Sequence, residues 1–179
     1  KAIMEDKENG LMPFFINASF GTTNTGSIDP IESIAHIAKT HKLWFHVDAA
    51  YGGFFKLVNK LNSKFEGIEK ADSITLDPHK TLFLPFGTGT ILIKNKEKLL
   101  KAFQYLADYM QDAIDACEEI SPADISPEQT KHFRGMRMWL PLKLFGLKPF
   151  RASLEEKLYL NQYFYNEIKK IKGFEVGPE

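Results

Sequence analysis

Leu43-Trp44-Phe45-His46-Val47-Asp48 is a short, mostly apolar run that ends on a carboxylate, and its surroundings decide the fold. A run this apolar predicts a strand buried within a parallel sheet. Just upstream, Asp29-Pro30-Ile31-Glu32 marks a helix start, with Asp29 as N-cap, Pro30 at N1 and Glu32 completing a capping box at N3. Ile31, Ile34, Ala35 and Ala38 then recur at helical spacing and give that helix one apolar face. Further back, Pro13-Phe14-Phe15-Ile16-Asn17-Ala18-Ser19 predicts an earlier strand, buried on both faces. The turn-forming loop Gly21-Thr22-Thr23-Asn24-Thr25-Gly26-Ser27 separates it from the helix. Strand, helix and strand in this order make a βαβ unit, whose crossover is expected to be right-handed.

Downstream, a loop with helical turns is expected from Asp48 to Lys70. Ser73-Ile74-Thr75-Leu76 predicts a third strand, running into Asp77-Pro78-His79-Lys80. Gly89-Thr90-Ile91-Leu92-Ile93-Lys94 predicts a fourth strand. No helical pattern joins it to the third, so it is expected to run antiparallel. A helix begins at Lys96 and runs towards Ala107; the acidic residues 108–125 read as a mobile loop. Ser126-Pro127-Glu128-Gln129 predicts another helix, kinked at Pro141, and Leu154 to Ile171 a last one, stopped by Gly173. The class is therefore α/β, a mostly parallel sheet flanked by helices, turning all-helical near residue 126. That change sets the expected domain division, 1–125 and 126–179.

Composition narrows the function. The 179 residues are 44% hydrophobic with 15 Phe, enough for a core. Lys plus Arg and Asp plus Glu number 23 each, so charge gives no reason to expect nucleic acid or an anionic membrane as partner. Zero net charge weakly favours self-association. The single cysteine, Cys117, excludes an internal disulfide and a cysteine-based zinc site, fits a reducing cytoplasm, and reads as inert. No apolar run reaches the roughly 20 residues of a membrane-spanning helix. Lys1 to Asn9 is mostly charged and does not resemble a signal peptide. Opening without Met and closing on Gly177-Pro178-Glu179, the sequence reads as part of a longer protein.

Chemistry gathers at three strand ends: Thr22-Thr23 after the first, Asp48 at the second, His79-Lys80 after the third. In open α/β sheets ligands bind beyond the carboxyl ends of strands, so Thr23, Asp48 and Lys80 are expected to converge. A lysine amine can form an imine with a carbonyl cofactor, and pyridoxal phosphate does so with an aspartate at its ring nitrogen. Small residues after that aspartate, Ala49 and Ala50, leave room for a flat ring. His79 can hydrogen-bond a phosphate or a substrate carboxylate.

His46-Val47-Asp48-Ala49-Ala50-Tyr51-Gly52-Gly53 followed by Asp77-Pro78-His79-Lys80 closely resembles the group II pyridoxal-phosphate-dependent amino-acid decarboxylases, among them the aromatic-L-amino-acid, tyrosine, histidine and glutamate enzymes. Gly21 to Asp29 resembles the loop before the family's crossover helix, and Phe133-Arg134-Gly135-Met136-Arg137-Met138-Trp139 the segment entering its small domain. The resemblance implies the aspartate-aminotransferase-like fold type I, seen here as the C-terminal half of the large domain and the start of the small one. It implies Lys80 as Schiff-base lysine, Asp48 at the pyridinium nitrogen, Ala50 on one ring face and Thr23 near the cofactor. Tyr109 matches the tyrosine of the family's catalytic loop, which assists protonation after carbon dioxide leaves. An amino-acid substrate and a homodimer are implied as well. Thr81 stands where many members have a bulky aromatic, and Leu84-Pro85-Phe86-Gly87-Thr88-Gly89 also departs from the aromatic enzymes. The family's ring-stacking histidine and main phosphate loop lie upstream of this chain.

Other roles compete for the same residues. The cofactor also suits an aminotransferase or carbon–carbon lyase, and the chain could be a non-catalytic fragment. A metal held by His46, Asp48 and His79 leaves Lys80 unexplained. His46 reads as a satisfied core histidine, Thr22 and Thr23 also as turn formers, and Tyr109 also as a packed helix residue. Phe133 to Trp139 with Leu140, Leu142 and Leu144 reads as core, and Arg134 and Arg137 as surface or interface charges.

Overall fold

The computed structural model describes residues 1–104, 120–128 and 130–177. The chain opens with helix α1 (Ala2–Glu8), which charge content alone did not reveal, followed by strand β1 (Phe15–Ser19). Helix α2 (Ile31–His41) crosses to β2 (Trp44–Asp48). Three short 3-10 turns, Gly53–Leu57, Asn59–Phe65 and Ile68–Lys70, lead to β3 (Ser73–Leu76). One helical turn, α3 (Pro78–Thr81), precedes β4 (Thr90–Ile93) and α4 (Lys96–Phe103). A 3-10 turn at Pro122–Ile125 is followed by α5 (Gly135–Phe145) and α6 (Lys148–Ile168).

The sheet has the order β1-β2-β3-β4, parallel except for the antiparallel β4. The predicted parallel pairing and the reversed fourth strand are both present. Side chains alternate across the sheet. Ala18, Phe45 and Val47 on one face bury against Ile31, Ala35 and Ala38 of α2. Fully burying a side chain such as Phe45 or Val47 contributes about 1.5–3 kcal/mol.

Burial of β1 on both faces is not met. Phe15 remains 48% exposed: it stands at the start of the edge strand, with the His46 ring 6.0 Å away on one side, while Lys98 lies over Trp44 further along the same face. The capping box before α2 is not formed either. The N-cap is Pro30, and the Asp29 carboxylate accepts the Ser19 N–H at 2.7 Å, tying the loop to β1. Glu32 pairs with Lys70 rather than with the helix start.

Differences continue beyond residue 120. The helix expected from Ser126 starts at Gly135, since Ser121 and Asp124 cap only a 3-10 turn and Ser126 Oγ donates to the Glu128 carbonyl. Helix α5 continues through Pro141, whose ring nitrogen offers no proton to the preceding turn. The stripe read as core is largely outside it, with Phe133 75% and Leu144 66% exposed. Met138 is the α5 residue that packs inward, joining Leu154, Phe150 and Leu158 of α6 against Val58, Leu82 and Leu84. Helix α6 begins earlier than its amphipathic pattern suggests because Pro149 suits a first helical turn. Two arginines bind it and α5 to the α/β layer: Arg151 Nε donates to the Leu57 carbonyl at 2.7 Å, and Arg137 Nη1 to the Phe86 carbonyl at 2.9 Å. No described helix is long and apolar enough to cross a membrane.

Candidate active site

Strand register assembles the site. Ser19, Asp48 and Thr75 are partners across β1, β2 and β3, so three polar side chains stand side by side at the carboxyl ends of parallel strands. Beyond them lies a cleft lined by Ser19, Gly21, Thr22, Thr23, Asp48, Ala50, Tyr51 and Lys80. The topological expectation for Thr23, Asp48 and Lys80 is therefore met, with Ala50 beside them.

Two glycines make this convergence possible. Gly21 has φ +87°, and a Cβ there would stand 2.8 Å from Gly52 Cα. A Cβ on Gly52 would stand 2.2 Å from the Phe20 carbonyl oxygen. The loop after β1 and the loop after β2 thus touch backbone to backbone, which side chains would prevent. The Phe20 N–H donates to the Asp48 carbonyl at 2.8 Å and fixes the same approach.

Asp48 ends β2 with an exposed side chain. Its Oδ1 accepts the Ala50 N–H at 3.1 Å, and among the described residues it has no cationic partner. Lys80 reaches the cleft from α3, and its Nζ lies 2.7 Å from Asp77 Oδ2. The threonines separate by role. Thr22 Oγ1 is engaged within its loop, bonding Thr25 Oγ1 at 2.9 Å and accepting the Ser27 N–H at 3.0 Å. The Thr23 hydroxyl makes no bond of this kind among the described residues.

His79 is not in the cleft lining. Its ring meets Phe86 edge-on, with centroids 5.4 Å apart, and its Nδ1 is buried without a partner among the described residues. Thr81 Oγ1 is likewise buried and unpaired. His46 is a satisfied interior histidine, with Nδ1 2.7 Å from Ser73 Oγ and Nε2 3.1 Å from Thr75 Oγ1. The trio considered for a metal is not gathered, and no group of three metal-ligating side chains occurs among the described residues. Tyr109 and Cys117 lie outside the described residues, as does most of the loop expected at 108–125. Ser19 and Tyr51 were not singled out from sequence, although Ser19 ends a strand just as Asp48 does.

An open, mostly parallel sheet with a lysine amine and an aspartate carboxylate in one strand-end cleft is the architecture of the fold-type-I pyridoxal-phosphate proteins. The chain belongs to the pyridoxal-dependent decarboxylase family, whose conserved domain matches residues 1–179. It is 36% identical over 177 residues to an aromatic-L-amino-acid decarboxylase of Bacillus atrophaeus, covering 98% of this chain and 37% of that protein. It is 31% identical over 175 residues to tyrosine/DOPA decarboxylase 1 of Papaver somniferum, covering 97% of this chain and 34% of that one. The crystal structure of Oryza sativa TDC with PLP and tryptamine superposes with a TM-score of 0.92 at 26% identity, over 99% of this chain and 37% of that chain. The chain thus spans little more than a third of the relatives it matches.

Proposed function

We propose that the full-length protein is a pyridoxal-phosphate-dependent decarboxylase that converts an L-amino acid to its amine and carbon dioxide. The observation that supports this best is the shared cleft of Lys80 and Asp48, an amine and a carboxylate that has no cationic partner among the described residues. The donor set suits the cofactor. Asp48 has an oxygen to spare for a protonated ring nitrogen, Ala50 presents only a methyl group, and His79 Nδ1 is an unsatisfied polar atom near the lysine in sequence. When bound, pyridoxal phosphate supplies a carbonyl carbon for attachment and a ring that accepts electrons.

In this reading Lys80 is the attachment point. Asp48 holds a proton on the ring nitrogen through a charge-assisted hydrogen bond. The hydroxyl of Thr23 and the ring of His79 contribute polar contacts to the cofactor or the substrate carboxylate. Tyr109 returns a proton to the α-carbon once carbon dioxide has left. Residues 1–125 act as part of the cofactor domain and 126–179 as the entry to the small domain. The full protein works as a homodimer in the cytoplasm.

The test is to incubate full-length protein with pyridoxal phosphate, reduce with borohydride and map the labelled peptide. Label on the Lys80 peptide is expected, together with carbon dioxide release from at least one member of an amino-acid panel. Label elsewhere, or none, overturns the assignment of Lys80. Turnover without carbon dioxide points instead to an aminotransferase or carbon–carbon lyase.

A further inference from the structure

Two carboxylates stand near the lysine, and they are engaged differently. Asp48 has no cationic partner among the described residues, whereas Asp77 Oδ2 sits 2.7 Å from Lys80 Nζ. The Asp77 side chain is 16% exposed and that of Lys80 42%. Asp77 is also held in place by its surroundings. Its N–H donates to the Ala50 carbonyl at 3.2 Å, and its carbonyl accepts the Lys80 N–H at 2.9 Å. Its Oδ1 lies where a Cβ on Gly89 would be 3.3 Å away, so the absence of a side chain there leaves the carboxylate its space. Asp77 is the N-cap residue of α3, yet its side chain makes no capping bond. Its carboxylate is therefore directed at the lysine and not at the helix.

We propose that Asp77 is a positioning residue for Lys80, holding the ammonium group at the cleft wall so that the amine is presented from one place. This rests on Lys80 being the cofactor-attachment lysine. A lysine stem has four rotatable carbons, and an ion pair to a tethered, mostly buried carboxylate removes most of that freedom. Loss of the pair frees the amine from the cleft wall.

The test uses full-length protein freed of cofactor and pulsed with acetic anhydride, with acylation of Lys80 read by peptide mass spectrometry relative to Lys60. Asp77→Asn and Asp77→Ser are both made, since serine also suits an N-cap position. Acylation of Lys80 is expected to rise about threefold to fivefold in both, the size of a partly exposed ion pair. Asp77→Glu is expected to return it towards wild type, which a purely structural role would not do. Unchanged Lys80 reactivity in both neutral variants overturns the proposal. Because no cofactor is present, this outcome is separate from borohydride mapping of the wild type. Absence of Lys80 label there defeats the attachment role while the acylation data still report on Asp77.

Discussion

Replacing Gly52 by alanine tests whether the close backbone contact between the two loops shapes the cleft. The new Cβ would lie 2.2 Å from the Phe20 carbonyl oxygen, 2.9 Å from its carbon and 3.0 Å from Phe20 Cδ1. The first of these is about 1 Å short of an ordinary carbon–oxygen contact. Phe20 has little room to move: it is 1% exposed, and its ring centroid is 4.2 Å from that of Phe65. A shift also strains the 2.8 Å bond from the Phe20 N–H to the Asp48 carbonyl. Overpacking with loss of that bond predicts a destabilisation of about 2–4 kcal/mol. Gly53→Ala is the internal control. Its Cβ would meet Leu76 Cδ2 at 2.2 Å, the end of a side chain that can change rotamer, and the buried Ala49 Cβ at 3.1 Å, which needs a shift of only a few tenths of an ångström. A cost of about 1 kcal/mol is expected there. Thermal melts of the full-length variants, with pyridoxal phosphate titration followed by absorbance, should place Gly52→Ala well below Gly53→Ala in both stability and cofactor affinity. Equal melting of Gly52→Ala and wild type would refute the reasoning, as would a larger loss in Gly53→Ala.

Asp48→Ala removes the carboxylate expected to meet the ring nitrogen and should weaken cofactor retention by about tenfold or more, the worth of a hydrogen bond to a charged group, measured by dialysis and absorbance. His46→Leu leaves the Ser73 and Thr75 hydroxyls without their histidine partner and should lower stability by about 1–3 kcal/mol in denaturant titration. Leu154→Ala opens a cavity where α6 meets the second core cluster, at a residue 1% exposed, and should cost about 2–5 kcal/mol by the same method.

Much of the fold was legible because it depends on local pattern. The apolar runs ending at Ser19, Asp48 and Leu76 announce strands by composition, and their ends locate the cleft by topology alone. The reversal of β4 followed from the missing crossover helix. What could not be read is set by contacts between distant residues. Asp29 has the chemistry of an N-cap but bonds the backbone of Ser19, ten positions away in the chain. Glu32 completes a capping box on paper and pairs with Lys70 in space. The facing glycines 21 and 52, and the arginines that reach Leu57 and Phe86, likewise have no local signature. In α5 the apolar residues outnumber those that one face can bury, so composition overstated the core.

The polar face of the sheet explains how Asp48 is placed in the cleft by neutral groups. Below it on the same face of β2, His46 is bonded through both ring nitrogens to Ser73 and Thr75 of β3. The Trp44 indole N–H donates to the same Ser73 hydroxyl at 2.8 Å. Opposite these, Phe45 and Val47 are locked into the apolar core with α2. The strand is thus gripped on both faces, by packing on one and by a connected hydrogen-bond chain on the other. Such chains are rigid when each member is satisfied. Asp48 is the next residue on that polar face, with one oxygen fixed by the Ala50 N–H. Its position is therefore set by neutral groups, and no ion pair among the described residues engages its negative charge. A carboxylate placed this way is free to favour a cation brought by a ligand. Asp77, which already engages Lys80, cannot serve in the same manner.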